Sequence, residues 1–282
     1  MNYRHLYHAG NFADVVKHAT LARILVYLMK KPAAFRVIDT HAGIGLYDLS
    51  ADEAERTGEW RDGIGRVLGE APPAGVADLI APYFATIAAV NPGPDLLAYP
   101  GSPEIAHRLT RPVDRLTLVE KHPHDFATLA ALYASDRRVK TVELDGWLAL
   151  GGFLPPKERR GLVLIDPAFE EPGEFDRLAA GLIAAHKRWP IGLYCAWYPL
   201  KNKAAVTAYS DRLAEAGIRN ILEITFAVAR PDASGPLGAC GMTLINPPWT
   251  LADELRTLLP WLLDRMRRGP GAFWSVEQRV PE

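Results

Sequence analysis

Gly161-Leu-Val-Leu-Ile-Asp-Pro-Ala-Phe-Glu170 is the stretch whose reading decides the fold. Leu162 to Ile165 are apolar in succession, a run that predicts a strand buried on both faces. Asp166-Pro167 ends it and puts an acidic side chain at the strand's carboxyl end. In open α/β sheets that edge is where ligands bind. Phe169 adds a flat aromatic face shortly beyond the carboxylate. Asp at a strand-to-helix turn is also a common helix cap, so these residues alone leave both readings open.

Outward from this strand the chain keeps an α/β rhythm. Phe35-Arg-Val-Ile-Asp-Thr-His-Ala-Gly-Ile-Gly45 reads as the first sheet strand followed by a Gly-x-Gly turn, with His41 at the strand end. Glycines there let backbone amides approach a ligand. The third glycine of the dinucleotide fingerprint is missing, which disfavours a nicotinamide cofactor. Residues 116–120 predict a strand ending in Glu120, followed by a helix over 123–134. Residues 139–144 predict a strand ending at Asp145-Gly146, again before a helix. Beyond Asp166 come a strand at 191–198, a helix to about 216, strands at 220–228 and 242–245 as an antiparallel pair, and a last helix over 251–267. Between residues 50 and 98 the strand signal fades. Helices over 52–68 and 75–90, with a turn at Asn91-Pro-Gly-Pro94, are too long for an ordinary βα loop. They predict a helical insertion subdomain, the rest (1–49 and 99–282) forming the main domain. Tyr99-Pro-Gly-Ser-Pro103 turns into a helix with Ser102 at or near its cap.

Composition narrows the class. The chain has 282 residues, 49% hydrophobic and 23% charged, enough for one large domain or one domain with an insertion. Formal net charge is -1, so a nucleic-acid partner must be held by a local basic patch rather than a global field. Lys30-Lys31, Lys157/Arg159/Arg160 and Arg265/Arg267/Arg268 are candidate phosphate contacts, and equally candidate solvated helix ends. Cys195 and Cys240 show no metal spacing and read as reduced, which predicts a cytoplasmic protein. No apolar run reaches the length of a membrane span, and no signal peptide opens the chain. The first twenty residues, MNYRHLYHAGNFADVVKHAT, carry three of the eight histidines in a spacing that fits no metal site. Asn11 can cap a helix over 13–29. Composition alone favours a solvated polar arm for this stretch.

Asp-Pro-x-aromatic at 166–169 resembles the catalytic loop of amino-methyltransferases, (Asp/Asn)-Pro-Pro-(Tyr/Phe), with Ala168 in place of the second proline. The chemistry explains the residue types. An adenine amino nitrogen is a poor nucleophile because its lone pair is delocalised into the ring. Asp166 and the Pro167 carbonyl can accept its two hydrogens, while Phe169 stacks on an extruded base. Four strands in series then end in ligand groups: His41 with Gly43/Gly45, Glu120, Asp145 and Asp166. In this order they resemble the layout of a class I, Rossmann-like methyltransferase that binds S-adenosylmethionine, with a seven-stranded, mostly parallel sheet. Glu120 is placed to accept ribose hydroxyls, Asp145 the cofactor's adenine amino group, and Gly146 to let the purine approach. Asn246-Pro-Pro-Trp249 matches the same loop pattern, but it follows the last strand and is read as a strand-to-helix turn with Trp249 packing.

The blocks YRHLYHAGNFADVVKH, DTHAGIGLY, ERTGEW, YPGSP, the DPAF region, LYCAWYP, GIRNIL and NPPW span nearly the whole chain. They resemble the bacterial 23S rRNA adenine-N6 methyltransferases of the RlmJ family, the N-terminal block being the most specific. The resemblance implies S-adenosylmethionine as donor, S-adenosylhomocysteine as product, 23S rRNA as partner, no metal, no membrane, and a monomer. It implies that His18, His41, Ser102, Glu120, Asp145 and Gly146 contact the cofactor and that Asp166 is the proton-accepting catalytic residue. It places Tyr3, His5 and Lys17 on the substrate side with Pro167 and Phe169, the N-terminal arm closing over the site. Ala168 and Phe169 depart from the family's usual Pro and Tyr, which bears on loop rigidity. Other readings carried forward are a DNA adenine methyltransferase, against which stands the lack of a target-recognition domain, and a non-catalytic RNA-binding relative.

Overall fold

The apolar runs assemble into one open sheet. The computed structural model describes residues 5–232 and 235–282. Tyr3 lies outside the described residues. Among these, ten strands form: β1 Arg36–Asp39, β2 Leu46–Asp48, β3 Ala98–Pro100, β4 Arg115–Glu120, β5 Val139–Glu143, β6 Gly161–Ile165, β7 Leu193–Pro199, β8 Ile221–Ala227, β9 Ala239–Ile245 and β10 Phe273–Val280. The main sheet runs β10-β8-β9-β7-β6-β1-β4-β5, and β2 and β3 form a separate antiparallel pair. β1 sits between β6 and β4, parallel to both, with Val37 opposite Leu162 and Leu116. β4 and β5, and β6 and β7, are also parallel pairs. β9 runs antiparallel between β7 and β8. All five residues of β6 are buried, as a central parallel strand covered on both faces requires.

The main sheet has eight strands, where seven were expected. The additional one, β10, pairs antiparallel with β8 on the edge. Its outward face carries Glu277, Gln278 and Arg279, and only Val276 is fully buried, so its sequence resembles a polar tail.

The first helix, Phe12–Met29, opens at Asn11, whose Oδ1 accepts from the amides of Ala13 and Asp14. It is not part of a solvated arm. Asp14, Lys17 and His18 are buried along with Leu21, Ile24 and Leu25, because this helix is covered on several sides. One cover is the insertion, which leaves β2 and returns through β3, Tyr47 standing opposite Tyr99. Ile64, Val67, Ile80, Tyr83 and Ile87 of the insertion share one buried cluster with Leu21 and Leu25 and with Leu255 and Leu258 of the helix Leu251–Met266. Each such side chain contributes about 1.5–3 kcal/mol on burial. The helix expected over 52–68 is interrupted: it ends at Gly58, in a left-handed turn, and resumes as a π turn at Arg61–Gly65. That break lets Ile64 N–H donate to the Gly10 carbonyl at 2.9 Å, and Glu59 accept from Asn11 at 3.0 Å. The insertion thus clamps the N-terminal segment.

Two further expectations change. Arg160 donates to the carbonyls of Leu28 and Ala33, and Arg265 pairs with Glu70, so both have internal roles. Lys30 and Lys31 are exposed but precede β1 at its amino end, across the sheet from Asp166. Asn246-Pro-Pro-Trp249 also lies at that far edge, since Ile245 pairs with Tyr194 near the start of β7. Asn246 donates to the Pro190 and Gly192 carbonyls, both at 2.8 Å. Trp249 does not pack; it is 81% exposed. No helix among the described residues is long and apolar enough to cross a membrane.

Candidate active site

Sheet order puts the carboxyl ends of β6, β1, β4 and β5 side by side, and with them Asp166, His41, Glu120 and Asp145. They open into a cleft of about 690 Å³. His5, Lys17, His18, His41, Ser102, Glu120, Asp145, Gly146, Asp166, Pro167 and Phe169 all line it. The cleft also holds Gly43 of the glycine turn, so the Asp166 side chain faces the cavity that this turn borders.

Asp166 belongs to a buried charge cluster. Lys17 Nζ bonds Asp166 Oδ2 and Asp14 Oδ1, the latter at 2.8 Å. Asp14 Oδ2 accepts from Gly10 N–H at 2.9 Å and from His5 Nε2 at 3.0 Å. Burial pulls the Lys17 ammonium down, but Asp14 and Asp166 outweigh it and hold the group well above the usual lysine range. Burial likewise works against the Asp14 carboxylate, yet His5 and Lys17 hold it well below its usual range. Asp166 is not a helix cap: the next helix, Glu174–Arg188, begins beyond it with Gly173 at its cap position. The Asp166 side chain keeps 15% exposure, and the cleft leaves room beside the ion pair.

Phe169 follows with a left-handed backbone, φ 54°. Such a conformation in a bulky residue costs on the order of 1–3 kcal/mol and persists where packing holds it. Phe175, edge-on at 4.9 Å, and Trp197, at 6.2 Å, hold it here.

The β1, β4 and β5 ends form the other half. Glu120 accepts from Gly43 N–H through Oε2 and from His122 N–H through Oε1, both at 2.8 Å. Gly43 is needed there, with φ 61° and a Cβ position only 2.3 Å from the Tyr47 hydroxyl. Asp145 Oδ1 caps the helix Gly146–Gly152 through Trp147 N–H at 2.9 Å, and Oδ2 takes Lys121 at 2.8 Å. Against the effect of burial, these partners lower its pKa. A Cβ on Gly146 would lie 2.3 Å from the Thr40 carbonyl and 2.8 Å from the His41 ring. The glycine is therefore required by the packing of two loops on each other, a reason the sequence did not suggest. Burial holds His41 near 4 and therefore neutral. Ser102 Oγ donates to Asp39 Oδ2 at 2.6 Å, and burial pushes Asp39 up to about 6 despite that bond.

His18 is 1% exposed. Its Nδ1 lies 2.7 Å from the Tyr99 hydroxyl, and its Nε2 has no partner among the described residues. Burial holds it near 3, so it too is neutral.

Sequence reasoning missed Asp14, Asp39, Lys121, Trp147 and Tyr99. Two had a signal. Asp14 and Lys17 stand one helical turn apart inside an otherwise apolar helix, and Val-Ile-Asp39 repeats the strand-end pattern of Leu-Ile-Asp166. No group of His, Cys, Asp and Glu suited to a metal ion occurs among the described residues.

Comparison with known proteins adds to this geometry. The family described as Ribosomal RNA large subunit methyltransferase D, RlmJ, matches residues 32–280. Two relatives, each named Ribosomal RNA large subunit methyltransferase J, align over 100% of this chain and of their own length. The one from Haemophilus influenzae is 41% identical over 285 residues, and the one from Escherichia coli K12 is 38% identical over 282. A crystal structure of a Legionella pneumophila protein superposes with a TM-score of 0.86 at 34% identity, covering 96% of this chain and 98% of that one.

Proposed function

This chain belongs to the RlmJ family of ribosomal RNA large subunit methyltransferases, and we propose from that premise that it methylates the exocyclic N6 of one adenine in 23S rRNA. The observation that carries the reading is the position of Asp166. Its carboxylate ends β6, faces a cleft with room beside it, and is followed by a carbonyl and an aromatic ring on the same cleft wall.

The residues present fit S-adenosylmethionine, which when bound supplies an electrophilic methyl group on a sulfonium. His18 Nε2 is a buried polar atom without a partner, suited to the methionine end, alongside His41 and Ser102. Glu120 keeps unused lone pairs for ribose hydroxyls, and Asp145 with Gly146 serves the adenine edge. On the substrate side, Asp166 accepts one hydrogen of the target amino group and the Pro167 carbonyl the other. Lys17 fixes the Asp166 rotamer and is itself fixed by Asp14. Phe169 offers its face to the extruded base, offsetting part of the unstacking cost of a few kcal/mol. Asp166 takes the proton that leaves the nitrogen. Catalysis is mainly positioning and electrostatics. Residues 50–98 act as an inserted subdomain that braces the N-terminal segment bearing His5, Asp14 and Lys17, as the Ile64–Gly10 and Glu59–Asn11 bonds support. The protein works as a cytoplasmic monomer.

The test is to incubate the protein with labelled S-adenosylmethionine and total RNA from a strain lacking it. Label recovered as N6-methyladenosine at one position of 23S rRNA is expected. Label on another base or another atom, or transfer to DNA in preference to RNA, overturns the reading.

A further inference from the structure

We propose that Tyr99 and Tyr83 are positioning residues that fix the tautomer of His18, so that its Nε2 carries a proton into the cleft. The three side chains form a buried chain: His18 Nδ1 lies 2.7 Å from the Tyr99 hydroxyl, which lies 2.8 Å from the Tyr83 hydroxyl. Tyr83 and Tyr99 are fully buried. Tyr99 also stacks along His18, with ring centroids 5.6 Å apart and planes at 29°, which holds the ring in register with the bond.

Hydrogen accounting selects one direction. Neutral imidazole has one donor and one acceptor nitrogen, and a phenol has one hydrogen. If Tyr83 donates to Tyr99 and Tyr99 donates to Nδ1, every hydrogen in the chain is used and the imidazole proton sits on Nε2. In the reverse direction Nδ1–H donates to Tyr99, and Tyr99 donates to Tyr83. The Tyr83 hydrogen then has no acceptor among the described residues, and a buried unsatisfied hydroxyl carries its full desolvation penalty. Burial excludes the doubly protonated ring at neutral pH. The first arrangement therefore dominates.

Its consequence lies at Nε2, the one polar atom of the ring left without a partner and lining the cleft. A neutral N–H there donates to an anionic oxygen such as a carboxylate, whereas a bare lone pair would repel it. The chain starts in the inserted helix Ala74–Val90 and passes through β3, so the insertion sets the chemistry of an atom in the main cleft. The functional consequence rests on the reading that His18 faces the donor; the tautomer does not.

Nitrogen-15 NMR of the histidines in the intact protein without donor, at neutral pH, reads the tautomer directly. His18 is expected with a protonated Nε2 and an unprotonated, hydrogen-bonded Nδ1. Tyr99→Phe should give a mixture of tautomers and weaken S-adenosylmethionine binding about tenfold, the loss appearing in KM rather than kcat. Tyr83→Phe leaves the Tyr99 donor in place, so it should keep the tautomer and change affinity less than about threefold. A wild-type His18 protonated on Nδ1 overturns the proposal, whether or not either variant folds. A mixed tautomer in Tyr99→Phe with unchanged donor affinity upholds the relay and overturns the assignment of His18 to the donor.

Discussion

Lys17→Met keeps the length of the side chain and removes its charge. In the wild type this ammonium lies between Asp14, whose side chain is 2% exposed, and Asp166. Without it two carboxylates face one buried space. Breaking a buried pair by removing one partner costs about 3–5 kcal/mol, because the charge left behind is uncompensated. Asp14 keeps Gly10 N–H and His5 as partners, which places the expected loss near the lower end, about 3 kcal/mol. The double variant Asp14→Asn/Lys17→Met removes the stranded charge while its amide oxygen still accepts from Gly10 N–H. It should recover about 1–2 kcal/mol of stability. Methyl transfer should fall at least about tenfold in the single variant and stay low in the double, since neither fixes Asp166. Urea unfolding of the four proteins of the cycle, with methyl incorporation beside it, is the assay. A loss under about 1 kcal/mol in Lys17→Met, or additive effects in the cycle, would refute the reasoning.

Other outcomes follow from single positions. Gly146→Ala puts a Cβ against the Thr40 carbonyl, a backbone atom that cannot swing aside; calorimetry should show S-adenosylmethionine binding at least about tenfold weaker, with about 1–3 kcal/mol lost in stability. Unchanged values would mean the two loops part without consequence. His18 and His41, held near 3 and 4 against an unfolded value of 6.5, bind protons only in the unfolded chain as pH falls. Their contribution is complete above the unfolded value and is lost on acidification. Asp39, pushed up to about 6, acts in the opposite sense between pH 4 and 6, being protonated in the fold first. The net is about one proton, so urea-derived stability should fall by about 1.4 kcal/mol per pH unit in that window; a flat profile contradicts the burial of the two histidines. Trp249→Ala should change stability by less than about 0.5 kcal/mol and leave transfer intact. Loss of activity there would make the Asn246 loop the catalytic one.

The strand ends were legible because parallel strands buried on both faces are written as apolar runs, and the first polar residue after each run must stand at the edge. That rule located Asp166, His41, Glu120 and Asp145 together. It failed for β2 and β3, three residues each, whose pairing only closes the base of the insertion. It failed for β10, whose outer face is charged. The first helix defeated it in another way. A helix covered on several sides has no polar face for periodicity to mark, so Asp14, Lys17 and His18 looked like solvated residues while they are the most deeply buried charges and ring of the site. The Tyr83–Tyr99–His18 chain joins residues far apart in sequence, and no local pattern announces it. Trp249 shows the converse: a motif match with the right residues at the wrong edge of the sheet.

Asp166→Ala gives the most direct measurement. Lys17 retains Asp14 in this variant, so the fold and the cofactor half of the cleft should persist. Methyl incorporation into RNA should fall at least about a hundredfold, while the calorimetric affinity for S-adenosylmethionine stays within about twofold of wild type. Transfer at wild-type rates from the variant would contradict the account.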